Sequence, residues 1–156
     1  MSISLTKYYD IGQPLTKVQV DTNWDDIESA VNSGYSLYDW FTVACGDETT
    51  SLTTGTSKVT FRMPYKMTLT AVRANVNTAP TGSTIIVDIN EGGTTILSTK
   101  LTIDATEKTS TTAATAAVIS DTSLADDAEI TIDIDQVGST IAGKGLKVTF
   151  YGYRTV

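Results

Sequence analysis

Apolar positions along this chain keep two different periods. Val20, Trp24, Ile27 and Val31 recur at spacings of four, three and four, the a/d seam of a helix. From about Thr42 the period drops to two. Val59, Phe61 and Met63 share one face, as do Ile85, Val87 and Ile89, with Ile86, Asp88 and Asn90 opposite. Ile130, Ile132 and Ile134 alternate with Glu129, Thr131, Asp133 and Asp135. Leu146, Val148 and Phe150 alternate with Lys147, Thr149 and Tyr151. Such alternation predicts antiparallel strands with one face buried and the other wet. Turn signals fall between the runs. Ala79-Pro80-Thr81-Gly82, Glu91-Gly92-Gly93, Leu124-Ala125-Asp126-Asp127 and Ala142-Gly143-Lys144-Gly145 are firm, and Gly46-Asp47-Glu48 opens a looser one. Glu91-Gly92-Gly93 between two β runs predicts a short hairpin. Thr109–Ser120 reads as a loop feeding an edge strand through Val118-Ile119. About eight strands spaced in this way predict a mainly β chain, an antiparallel jelly-roll-type β-sandwich.

The helix is expected within Pro14–Gly34. Thr16 and Gln19 have capping-box spacing, and Gly34 suits the left-handed residue that ends a helix. Asp21, Asp25, Asp26 and Glu28 lie in its first half, where the helix dipole favours negative charge. The stripe spans about two heptads, too short to hold helices together alone in water. It must therefore lie on its own β domain, on copies of itself or on a larger assembly. Residues 1–13 read as an extended arm, with Tyr8 and Tyr9 against a neighbour, and Tyr35–Phe41 as an aromatic seal between helix and sheet. The expected organisation is an anchoring or trimerising segment over 1–34 and a β-sandwich over 35–156.

Composition narrows the chemistry. The 156 residues are 40% hydrophobic and 19% charged, an ordinary globular balance with room for one β domain of roughly 110–120 residues. The net charge of −7, with scattered basic residues, argues against nucleic acid, whose phosphates need clustered Lys and Arg. No apolar run approaches the roughly 20 residues that span a bilayer, so membrane insertion is not expected. The first residues lack the basic start and apolar core of a signal peptide, which places synthesis in a cytoplasm. Histidine is absent, removing the commonest general base and transition-metal ligand. The single cysteine, Cys45, reads as a small buried residue. Neither an enzyme nor a cofactor is expected.

Four constellations invite a functional reading, each with a plainer alternative. Asp133 and Asp135, with Asp88, offer hard oxygens for calcium, but i and i+2 on a strand equally make a solvated acidic face, which is preferred. Glu91 with Asp126-Asp127 has the composition of a glycosidase carboxylate pair, yet these residues sit at expected turns. Gly143-Lys144-Gly145 lacks the spacing and following helix of a phosphate loop and reads as a hairpin turn. Tyr35, Tyr38 and Trp40, or Tyr151 and Tyr153, suit a sugar-stacking platform, although core or interface use is commoner.

Two segments resemble known proteins. PLTKVQVDTNWDDIESAV resembles the short helical segment, with an LT…VD.N(W/F) signature, near the start of fibre-like modules in tailed-phage virion proteins. Phe61–Tyr153 is similar to a β domain recurring in phage tail-fibre and other virion surface proteins. That similarity is carried by Leu69, Val72-Arg73-Ala74, Pro80-Thr81-Gly82, Val87-Asp88-Ile89, Ile96-Leu97-Ser98-Thr99, Leu101-Thr102-Ile103-Asp104, Asp126-Asp127, Ile134-Asp135-Gln136-Val137-Gly138 and Gly143-Lys144-Gly145-Leu146-Lys147-Val148. The resemblance covers most of the chain and implies a tailed-phage virion surface component, typically homotrimeric. The chain has no stalk repeats and no tailspike body, which argues against receptor binding and favours a capsid decoration, head-fibre or tail-adaptor protein over a long fibre. The expectation is a non-enzymatic virion structural protein, made in the host bacterial cytoplasm, whose partners are itself as a homotrimer and other virion proteins. Its assembly interface is expected at Val20, Trp24, Ile27 and Val31. The alternative is a carbohydrate-binding adhesin that contacts a host surface glycan through Tyr151 and Tyr153.

Overall fold

The computed structural model describes residues 16–32 and 37–154, with helix side chains as far as Ile27. The expected arm with Tyr8 and Tyr9, the Gly34 stop and Tyr35 lie outside the described residues, as do the side chains of Glu28 and Val31. The chain divides into two compact units, Met1–Ser36 with Thr155–Val156, and Leu37–Arg154.

In the first unit, helix α1 spans Lys17–Asn32. Its start is a capping box. The Thr16 N–H donates to Gln19 Oε1 at 2.9 Å and the Gln19 N–H donates to Thr16 Oγ1 at 3.3 Å, so two free backbone donors are satisfied reciprocally. The dipole expectation needs correction. No acidic residue stands in the first turn, the only region where the field is strong. Asp21 instead accepts from Lys17, one turn earlier, at 2.5 Å.

The second unit is mainly β, with antiparallel sheets facing each other across an apolar core. Its strands are β1 (Leu37–Ala44), β2 (Gly55–Arg62), β3 (Met67–Asn75), β4 (Ile85–Glu91), β5 (Thr94–Thr95), β6 (Leu97–Thr99), β7 (Leu101–Ile103), β8 (Val118–Ile119), β9 (Ser123–Leu124), β10 (Glu129–Gln136) and β11 (Lys147–Arg154). One sheet runs β1-β11-β3-β9. The other runs β2-β10-β4-β5, with β7 beside the first half of β4, and β6 pairs with β8. The first four strands, β1 to β4, therefore alternate between the sheets, whereas β4 and β10 are neighbours in one of them. The expected inward sets are buried: Ile85, Val87, Ile89, Ile130, Ile132, Ile134, Val148 and Phe150. Three rings tie the sheets together. Phe41 and Phe150 stack at 4.8 Å, and Phe61 of the opposite sheet meets each edge-on at 5.9 Å.

The hairpin over Glu91-Gly92-Gly93 forms as expected, pairing Asn90 with Thr95 and Glu91 with Thr94. Its two loop residues, Gly92 and Gly93, take φ of 56° and 83°, the left-handed pair that a tight two-residue turn requires. Val118-Ile119 forms a short strand, as expected for the end of the Thr109–Ser120 segment.

Three expectations about the strands and turns fail. Strand pairing begins at Leu37, before Thr42, so Tyr38, Trp40 and Phe41 are β residues of one continuous ladder with β11. The second face of β4 is not wet, since Asp88 is 6% and Asn90 9% exposed. Ala142–Gly145 is not a hairpin turn. It carries the chain from one sheet to the other, and Lys144 forms bridges to both Ser51 and Thr78.

Candidate functional site

The outer face of the β1–β11 pair gathers four aromatic side chains. Tyr38 stands opposite Tyr153 and Trp40 opposite Tyr151 in the ladder. Directly opposed side chains lie on one face about 5 Å apart. Tyr38 and Tyr153 meet edge-on, with centroids 5.5 Å apart. Tyr38 and Trp40 are each 60% exposed, and Tyr153 42%. The Arg73 guanidinium, from β3, lies 5.0 Å from the Tyr151 ring centroid. Next to this pair a hollow of about 270 Å³ is lined by Arg73, Asn75, Thr109, Thr111, Thr149 and Tyr151. The four rings expose roughly 400 Å² at 150–250 Å² of surface each. That matches the larger functional patches of single proteins. It is about half of what one partner contributes to a stable protein interface.

On its inner side, the same strand pair ends in a polar lock. The Tyr65 hydroxyl donates to Asp39 Oδ2 at 2.5 Å, the Trp40 N–H donates to Asp39 Oδ1 at 2.8 Å, and the Arg154 guanidinium sits 4.7 Å from the Tyr65 ring centroid. The Tyr65 bond, more than the Trp40 bond, holds the Asp39 carboxyl below the usual range, while burial pushes the Tyr65 hydroxyl up.

A second apolar surface lies on α1. Val20 is 49% and Trp24 67% exposed, and Ile27 is half-buried. Of the expected stripe, these three have described side chains.

The acidic constellation is organised around a lysine. Lys100 Nζ lies 2.6 Å from Asp135 Oδ2 and 2.9 Å from Asp88 Oδ2. Asp88 also accepts from the Thr95 hydroxyl at 2.5 Å and from the Ile89 N–H at 2.9 Å. Asp133 turns to other partners, the Ser57 N–H at 2.6 Å and the Asn90 amide at 3.1 Å. The ladder is irregular on both sides of Asp133 and Ile134, which explains why i and i+2 do not act together. An ammonium thus occupies the place considered for calcium, and its two carboxylate bonds, Asp135 first, hold it above the usual lysine range. Among the described residues no group of three His, Cys, Asp or Glu side chains is placed to hold a metal ion.

Glu91 and the main chain of Asp127 have structural partners. Glu91 Oε1 accepts the Ala125 N–H at 2.9 Å and so pins the turn leading into Asp126-Asp127. The Asp127 carbonyl accepts from Arg62 at 3.0 Å. Burial pushes the Cys45 thiol up to about 12, so at neutral pH it is not a thiolate nucleophile. Among the described residues no helix is long and apolar enough to cross a membrane.

Sequence reasoning missed Lys100 and Arg73. Neither has a local signature, because each earns its partners from strands far along the chain. Of the expected stacking residues, the structure brings Tyr38, Trp40, Tyr151 and Tyr153 onto one face, a grouping that treating them as two separate clusters did not reveal. Comparison with family models, curated proteins and solved structures finds no match to this chain.

Proposed function

We propose that this chain is a non-enzymatic structural module of the outer surface of a tailed-phage virion. It is a capsid decoration, head-fibre or tail-fibre component that assembles as a homotrimer through its N-terminal segment. The observation that carries this is the apolar stripe of α1, with Trp24 two-thirds exposed on a well-capped helix. A helix of 16 residues is marginal alone in water, and an exposed Trp beside an exposed Val calls for an apolar partner surface. Copies of the same stripe around a threefold axis supply one.

Supporting the virion assignment are the sequence resemblance and a jelly-roll reading of the sandwich. The orders β1-β11-β3-β9 and β2-β10-β4-β5 suit eight strands wound in two Greek keys, an architecture shared by viral capsid and lectin domains. The non-enzymatic reading is supported by the absence of histidine, by the buried thiol and by the Asp88, Asp135 and Glu91 carboxylates, already engaged with their own neighbours.

Light scattering tests the assembly. A mass near three times 16.6 kDa that falls to one chain in Trp24→Asp is expected. A monomer in both proteins overturns the trimer.

A second reading, a carbohydrate-binding adhesin, is favoured by the aromatic outer face and its adjoining polar hollow. The face is too small to hold a stable dimer alone, yet exposed rings beside hydroxyls and a guanidinium suit a sugar. Glycan-array signal lost in Trp40→Ala and Tyr151→Ala is its expected result. Silence across broad arrays refutes it.

A further inference from the structure

One long side of the sandwich, between the edge strands β1 and β2, is incompletely closed. At the β1/β2 side, the core-facing Phe41 and Val43 of β1 and Val59 and Phe61 of β2 are only half-buried. One strand further in, Ile130, Ile132, Val148 and Phe150 are fully buried. Among the described residues an apolar seam is therefore open between the two edge strands.

The edges differ in protection. β2 carries Lys58 and Arg62, a left-handed Ser57 at φ 48° and an irregular register against β10, all devices that keep other strands from pairing. β1 has none of them. Leu37–Ala44 pairs with β11 through eight consecutive positions without a register shift, and it contains no Lys, Gly or Pro. Its single charge, Asp39, is engaged by Tyr65 and by the Trp40 N–H. Among the described residues no strand lies on its other side. The result is a straight open lane about 27 Å long at 3.4 Å per residue.

Fifteen residues precede Thr16, and their first six read Met1-Ser2-Ile3-Ser4-Leu5-Thr6. Apolar and small polar residues alternate strictly, with no charge, Gly or Pro. This is the pattern of a strand with one dry face. Six residues fit within a lane of eight. Met1, Ile3 and Leu5 would stand over the seam at about 7 Å intervals, leaving Ser2, Ser4 and Thr6 on the aromatic side.

We propose that Met1–Thr6 of a second copy adds as a strand to the free edge of β1, its Met1, Ile3 and Leu5 closing the seam over Phe41 and Phe61. Main-chain hydrogen bonds to an open edge give affinity, and alternate side chains give register. The inference rests on the homo-oligomer proposed above and adds an exchange of arms to it.

Hydrogen exchange on the full chain tests it, comparing wild type with the Ile3→Asp/Leu5→Asp double variant. The β1 amides facing the lane should exchange about tenfold faster in the variant, while β4 and β10 stay protected, which shows that the sandwich is intact. Adding a peptide of residues 1–8 should restore protection. The same peptide carrying both Asp substitutions should not. Exchange of β1 within about twofold of wild type in the double variant overturns the inference, even if light scattering still finds a trimer. If wild type proves monomeric, the trimer fails by itself. The peptide then decides: protection of β1 upholds strand addition in trans, and no protection overturns it.

Discussion

Replacing Lys100 by Met isolates the cost of a buried carboxylate that has lost its cation. The Asp88 side chain is 8% exposed and Lys100 42%. Removing one partner of a buried ion pair costs about 3–5 kcal/mol. Water reaching Lys100 screens part of that, and Asp88 keeps its bonds from Thr95 and Ile89. The expected loss is therefore about 2 kcal/mol at pH 7. In a domain of this size it should lower Tm by roughly 5–10 °C. Asp88→Asn with Lys100→Met should cost less than the sum of the single changes, with a coupling of about 1–2 kcal/mol. The pH dependence has a definite sign. The folded ammonium is held above the usual range by Asp135 first and Asp88 second. Its contribution is therefore complete below the ordinary lysine value of about 10.4, and it is lost as pH rises through the raised folded value. The difference between wild type and Lys100→Met should be flat through neutral pH and shrink in strong alkali. Urea unfolding followed by near-UV circular dichroism measures all four proteins. A Lys100→Met variant within about 0.5 kcal/mol of wild type at pH 7, or strictly additive changes, would refute the reasoning.

Gly152→Ala should cripple folding, because its Cβ would lie 2.2 Å from the Thr68 carbonyl oxygen of the paired strand. A loss above about 3 kcal/mol is expected by urea titration, and a variant of normal stability would show that β11 and β3 can part there. Thr16→Ala should cost α1 about 1 kcal/mol by removing its cap, read as lost helical signal in far-UV circular dichroism with the β signal kept. Cys45 should react with a disulfide reagent only on unfolding, since burial suppresses its thiolate; rapid stoichiometric labelling of native protein contradicts this. Asp47 is held well below the usual range by bonds from Thr50 and then Thr49, and Glu48 below it by Lys147 and then Asn77. Both contribute stability above about pH 4 and lose it as pH falls through their lowered values. An acid melt should show this loss, weaker in Asp47→Asn.

What was legible in the sequence is what the chain encodes within a few residues. The capping box at Thr16 and Gln19 and the Gly92-Gly93 turn each bring together atoms no more than three residues apart. The inward sets on β4, β10 and β11 follow from the pleat, which sends alternate side chains to opposite faces whatever the neighbouring strand is. Periodicity, however, names faces and not their coverings. The second face of β4 alternates like a wet one, yet Asp88 is buried there because Thr95 and Lys100 fold back over it. Gly143-Lys144-Gly145 has the composition of a hairpin turn, but the sheets on either side decide whether a turn reverses the chain or carries it across.

By itself, then, the sequence determined the class of α1 and of the long strands β2, β4, β10 and β11, the start of α1 and most of the apolar faces that form the core. Tertiary structure alone decided which strands lie side by side. Thr42 bonds Thr149 across 107 positions, and that ladder places Tyr38 beside Tyr153, while the β11–β3 ladder brings Arg73 over Tyr151 and β1 is left as an edge strand among the described residues. Any strand with one apolar face can bury it against many partners at similar gain per unit area, because the hydrophobic effect is non-directional. Pairing and register are chosen by the competition among all strands at once, and that choice brings together the aromatic face, the lysine-centred acidic cluster and the open seam.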